Sequence, residues 1–108
     1  MSFLGRLTGL LTRNGREDGL LLQGIEHAKA KRPEKAIDIY NGLLKTDSIG
    51  NSVRARALFN RALAYSSLKD YERAGADLDK VLAMPDVPEN VQTAARSQLA
   101  RVRRRAEK

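Results

Sequence analysis

Laid over itself with a shift of 38 residues, the chain repeats. Leu20 falls on Leu58, Gly24 on Ala62, His27 on Tyr65, Lys31 on Lys69, Ala36 on Ala74, Tyr40 on Leu78 and Leu44 on Leu82. Small residues meet small ones and large meet large. A unit of that length, with small side chains at fixed places, reads as a pair of helices whose backbones come close at Gly24 and Ala62 while bulkier residues fill the space around them. One such pair cannot bury its apolar faces alone and must stack on the next. The repeat therefore predicts an all-α fold of antiparallel helix-turn-helix repeats.

Local signals agree with that period. Ala36, Tyr40, Leu43 and Leu44 are spaced i, i+4, i+7, i+8, as are Ala74, Leu78, Val81 and Leu82. No β-alternating run of useful length interrupts them. Glycine and proline fall mostly at junctions. Asn14-Gly15 reads as a helix stop, Pro33 as the first turn of a helix, and Ser48–Ser52 as a loop. Asp70 is placed to cap a helix starting at Tyr71, and Asp86 with Glu89 reads as a capping-box variant with Pro88 in the first turn. Helices are expected at about 2–12, 17–31, 34–46, 52–69, 71–84 and 87–106. At 108 residues the chain suits one domain. Its expected layout is an amphipathic basic segment at 1–16, then repeat one at 17–47, repeat two at 52–85 and a C-terminal capping helix at 87–106.

These residues resemble the tetratricopeptide repeat family. The stretch that carries the resemblance best is Leu58-Phe59-Asn60-Arg61-Ala62-Leu63-Ala64-Tyr65, then Leu68, Asp70-Tyr71-Glu72-Arg73-Ala74, Leu78 and Val81-Leu82. It is similar to the family's large-x-x-x-small-x-x-aromatic first helix and aromatic-x-x-Ala second helix. The other copy runs through Leu20, Gly24, His27, Pro33–Tyr40 and Leu43-Leu44. It departs from the pattern at His27, where an aromatic is usual, and at Leu43, where a small residue is usual; Val81 makes the same departure in the second copy. The extra length over the usual 34 or so residues is assigned to the Ser48–Ser52 loop, where added residues cost little closure entropy.

Composition narrows the function. There is no cysteine and one histidine, so neither a disulfide framework nor a His cluster for a metal is available. No metal and no cofactor is expected. His27 has no companion base or nucleophile, no glycine loop cradles a phosphate, and the chain reads as a non-enzyme. No apolar run is long enough to span a bilayer. The net charge of +7 sits at the ends: residues 1–16 carry Arg6, Arg13 and Arg16 and no acid, 17–86 balance 11 basic against 11 acidic side chains, and 87–108 hold six basic and two acidic. A neutral middle argues against a broad basic face for a duplex. Tyr40, Tyr65 and Tyr71 fall in repeat core slots, which leaves too few aromatics for a base-stacking platform, so no specific nucleic acid is expected. The Arg101–Arg105 run reads first as the polar face of a cap, with Val91, Ala95, Leu99, Val102 and Ala106 on the buried side.

The resemblance implies that the first helix of each pair lines a concave groove. The matching positions are Leu21, Ile25, Ala28 and Lys29 in the first copy and Arg56, Phe59, Asn60, Leu63, Ser66 and Ser67 in the second; Asn90, Thr93, Ser97 and Arg101 extend the surface along the last helix. Some relatives grip an acidic chaperone tail with a Lys/Asn/Arg clamp. Only Asn60 has a counterpart here, and Leu21 and Ile25 occupy clamp slots, so no such clamp is expected. The groove instead suits an amphipathic helix or apolar peptide, as a scaffold or adaptor would bind; its apolar residues are equally compatible with simply completing the core. Phe3, Leu4, Leu7, Leu10 and Leu11 form one apolar stripe in the N-terminal segment. That stripe has three uses open to it: packing on the repeats in cis or from a second chain, lying on a membrane surface, or serving as a targeting segment. The reading overall is a cytoplasmic protein-binding module, with a polyanion binder acting through basic termini, on membrane or nucleic acid, as the alternative.

Overall fold

The computed structural model describes residues 13–108, which form five helices: α1 (Arg13–Lys29), α2 (Pro33–Leu44), α3 (Asn51–Ser67), α4 (Tyr71–Ala83) and α5 (Glu89–Ala106). The N-terminal stripe of Phe3, Leu4, Leu7, Leu10 and Leu11 lies outside the described residues.

The 38-residue shift seen in the sequence reappears in the backbone. Lys31 and Lys69 both take left-handed φ, at 62° and 63°. Behind them Arg32 N–H donates to His27 O and Asp70 N–H to Tyr65 O, each at 2.9 Å. Lys31 N–H donates to Ala28 O at 3.1 Å and Lys69 N–H to Ser66 O at 2.9 Å. These paired bonds make a Schellman turn at the end of α1 and again at the end of α3, satisfying carbonyls that a helix end leaves bare. The next helix starts at once in both copies. α2 opens on Pro33, whose missing N–H is no loss there. α4 is capped by Asp70, whose side chain accepts from Arg73 N–H at 3.2 Å. That bond, with a second from the Arg73 guanidinium, holds the Asp70 carboxyl below the usual carboxylate range.

Four junctions differ from the sequence reading. Asn14 and Gly15, expected to stop a helix near 2–12 ahead of the next one at 17, lie in the first turn of α1; their cost of about 1 kcal/mol or less each is outweighed by packing along the rest of the helix. α3 takes in Asn51 and Ser52, so the preceding loop stops at Gly50, with Ile49 buried under it. The Asp86–Glu89 box does not form: Asp86 is left-handed at φ 58°, and α5 starts at Glu89 with Pro88 at the cap position. Ala106 is exposed; the residues that α5 buries are Val91, Ala95, Leu99 and Val102.

Successive helices pack on each other, and α1 also meets α3 while α3 meets α5. The odd-numbered helices thus form one layer and α2 and α4 the other. Two apolar clusters hold the stack. Leu21, Ala36, Tyr40, Leu43 and Ala57 tie α1, α2 and α3 together. Ala55, Leu58, Ala62, Ala74, Leu78 and Val81 join α3 to α4, and Val91, Ala95, Leu99 and Val102 seal the end with α5. Leu44 packs against both clusters. α3 is enclosed on several sides, and it accommodates this with small side chains: Ala55, Ala57, Ala62 and Ala64 are all buried. The key small residues of the repeat, Gly24, Ala36, Ala62 and Ala74, are buried as well.

Candidate functional site

Where α1 and α3 lie side by side, their C-terminal halves leave a cavity of about 340 Å³. Four of its lining residues are apolar: Ile25 and Ala28 from α1, Leu63 and Ala64 from α3. Lys29, Asn60 and Ser67 complete the lining. Helical spacing explains the set, since Ile25 with Ala28 and Lys29, and Asn60 with Leu63, Ala64 and Ser67, are three or four residues apart and share a face. The polar members are tied back to their own helix. Asn60 Nδ2 donates to Arg56 O at 2.8 Å and Ser67 Oγ to Ala64 O at 2.7 Å. Lys29 is exposed and supplies the only charge that the described residues bring to the lining.

Six of the ten expected groove residues therefore surround one space: Ile25, Ala28, Lys29, Asn60, Leu63 and Ser67. The other four do not. Leu21 is 6% exposed and belongs to the core with Tyr40 and Leu43. Phe59 is half-buried against the α4–α5 cluster. Arg56 is exposed and Ser66 half-buried, both away from the cavity lining. On α5, Asn90, Thr93, Ser97 and Arg101 are exposed. Ala64 was not expected at the groove; its spacing of four from Asn60 carries the signal.

His27 is half-buried, and its Nδ1 accepts a 3.1 Å bond from Arg32 Nε across the α1–α2 turn. Its role there is to fasten the turn. Among the described residues no cluster of His, Asp or Glu could hold a metal, and no helix is long and apolar enough to cross a membrane.

One polar network escaped the sequence reading. Arg61 of α3 grips Asp77 of α4 with two bonds, Nε to Oδ2 at 2.8 Å and Nη2 to Oδ1 at 2.7 Å. Its Nη1 donates to Asn41 Oδ1 of α2 at 2.8 Å. The Asp77 side chain is 4% exposed. The fork-to-fork bond to Asp77 drives the guanidinium still further toward its charged form. The signal was present: Asp77 sits three residues after Ala74 and four before Val81, on the buried stripe of α4. A charge there needs a partner. Nearby, Arg54 caps the C-terminal end of α2, donating to Leu44 O at 3.3 Å and Thr46 O at 3.2 Å.

Searches of the curated proteins and of the solved structures each gave no significant match. A family model does match: residues 55–85, covering most of α3 and all of α4, fit the tetratricopeptide repeat. The chain thus carries a tetratricopeptide repeat at residues 55–85, set within the five described helices.

Proposed function

We propose that this chain is a non-catalytic adaptor whose α1–α3 groove receives an amphipathic helix or apolar peptide of another protein. The tetratricopeptide repeat is in general a protein–protein interaction module, typically without catalysis. The observation that carries the finer reading is the cavity of about 340 Å³, lined by the apolar Ile25, Ala28, Leu63 and Ala64 together with Lys29, Asn60 and Ser67. Apolar side chains at i and i+3 or i+4 of a bound helix would fill such a space. The site asks for differential packing and holds no group poised for proton transfer or nucleophilic attack.

The test is affinity capture with the full chain, the Ile25→Glu, Leu63→Glu double variant, and Lys35→Glu as a control on the exposed face of α2. Ile25 and Leu63 are only half-buried, so the double variant is expected to keep its helicity by circular dichroism. It should lose partners that the wild type and Lys35→Glu retain. Retention of the same partners by the folded double variant would remove the proposal.

A second reading has one observation in its favour. α5 carries Arg96, Arg101, Arg103, Arg104 and Arg105, all exposed, with no acid between Glu89 and Glu107. Arg103 lies 3.5 Å from Asp79 of α4; the others leave a concentration of positive charge that would attract a polyanion, and binding through it should weaken steeply as salt rises.

A further inference from the structure

On the other side of α3, the gap between α2 and α4 opens a second cavity of about 470 Å³. It shares no residue with the α1–α3 groove. Leu44, Leu58 and Met84 give it apolar walls, and Arg54, Arg61 and Lys80 give it three cations. No acid lines it. We propose that this cavity binds the C-terminal carboxylate of a peptide that ends in an apolar residue.

Charge and apolar surface meet here in the proportion such a chain end requires. A terminal Leu or Phe presents one oily side chain and one full negative charge a few ångströms apart. The cavity presents the complement, and its volume is in the range of about 300–1,000 Å³ usual for ligand pockets. Two of the three cations are already fixed. Arg54 is held by the carbonyls at the end of α2, and Arg61 by Asp77 and Asn41, so neither must be ordered on binding. Asp77 neutralises one charge at most, leaving the site positive. Lys80 makes no ion pair among the described residues and is exposed on the last turns of α4. It is free to close on a carboxylate. An internal peptide segment without an acidic side chain would leave that charge without a partner.

The inference does not depend on the α1–α3 groove being occupied, and its test is separate. The probes are N-acetyl-Leu-Phe as the free acid, the same dipeptide as its C-terminal amide, and decanoate, titrated into the full chain while the methyl resonances of Leu44, Leu58 and Met84 are followed by NMR. The free acid should shift these methyls, and the amide should bind about ten-fold more weakly for want of a charge-assisted bond. Lys80→Glu should weaken the free acid by at least as much, and Lys80→Arg should restore it, with unchanged spectra elsewhere showing that both variants fold. Equal binding of acid and amide, or shifts confined to Ile25 and Leu63, would overturn the proposal. Decanoate binding ten-fold tighter than the dipeptide acid would overturn the peptide assignment in favour of a fatty acid.

Discussion

A Cβ at position 24 would lie 2.9 Å from Cζ of Tyr40, closer than real side chains approach. In the second copy the equivalent pair is Ala62 and Leu78, both buried. The two copies reach the same fit by exchanging volume: a smaller residue on the first helix where the second helix carries the larger one. Gly24→Ala is therefore expected to destabilise by about 1–3 kcal/mol, despite the better helix propensity of alanine. Adding Tyr40→Leu should recover much of that loss, since it recreates the arrangement of the second copy. A double-mutant cycle by urea unfolding checks it, and simple additivity would contradict the contact. Tyr40 has a further liability. Its hydroxyl is buried and has no hydrogen-bond partner among the described residues, and burial pushes its pKa up to about 12 from 10.0. The raised value means that the folded state keeps the phenol neutral while the unfolded chain can ionise. Stability tied to that difference is whole below pH 10 and falls as pH rises from 10 to 12. Tyr40→Phe should remove this part of the alkaline loss and cost little at neutral pH, as measured by unfolding at pH 7 and 11. The matched volumes of Gly24 and Tyr40 were legible in the repeat; the orphaned hydroxyl was not, because it depends on what surrounds it.

Helix ends divide by the same criterion. Those set by local chemistry were readable: Pro33 at the start of α2 and Asp70 at the cap of α4 stand where the sequence put them. Those set by context were not. Asn14-Gly15 carries the local marks of a stop, yet both residues lie in the first turn of α1. Asp86 and Glu89 have capping-box spacing, but the left-handed backbone at Asp86 shifts the start of α5. The Schellman turns at Lys31 and Lys69 were also hidden, since glycine, not lysine, is the usual residue at a left-handed C′ position. Each lysine bears a backbone cost of about 1 kcal/mol that glycine would not. Lys31→Gly and Lys69→Gly should each raise stability by about 0.5–1 kcal/mol, less the entropy that glycine gives the unfolded chain. A fall in thermal midpoint for either would contradict the turn geometry. Gly75 tests the opposite case. A Cβ there meets Leu99 Cδ1 at 3.9 Å and Val102 Cγ1 at 4.0 Å, ordinary contact distances. Gly75→Ala should stabilise by about 0.5–1 kcal/mol, read from chemical denaturation.

At the scale of the whole molecule, one residue fastens three helices. Arg61 reaches from α3 to Asp77 on α4 and Asn41 on α2, with the carboxylate almost wholly out of water. Removing one partner leaves a buried charge, so Asp77→Ala is expected to cost about 3–5 kcal/mol. Replacing both, as Arg61→Met with Asp77→Leu, should return most of it, and equilibrium unfolding distinguishes the two outcomes. The all-α architecture followed from the repeat because period and small-residue spacing are properties of the chain itself. The lining of the α1–α3 cavity was legible in part: Ile25, Ala28 and Leu63 follow from helical register, whereas Leu21 is drawn into the core by Tyr40 and Leu43, a choice made between helices. The central claim is that the α1–α3 face takes another polypeptide. Hydrogen exchange on the chain with and without a captured protein partner tests it most directly. The account predicts slowed exchange at residues 25–29 and 60–67, with the outer face of α2 unchanged; protection confined to 96–108 and abolished by salt would contradict it.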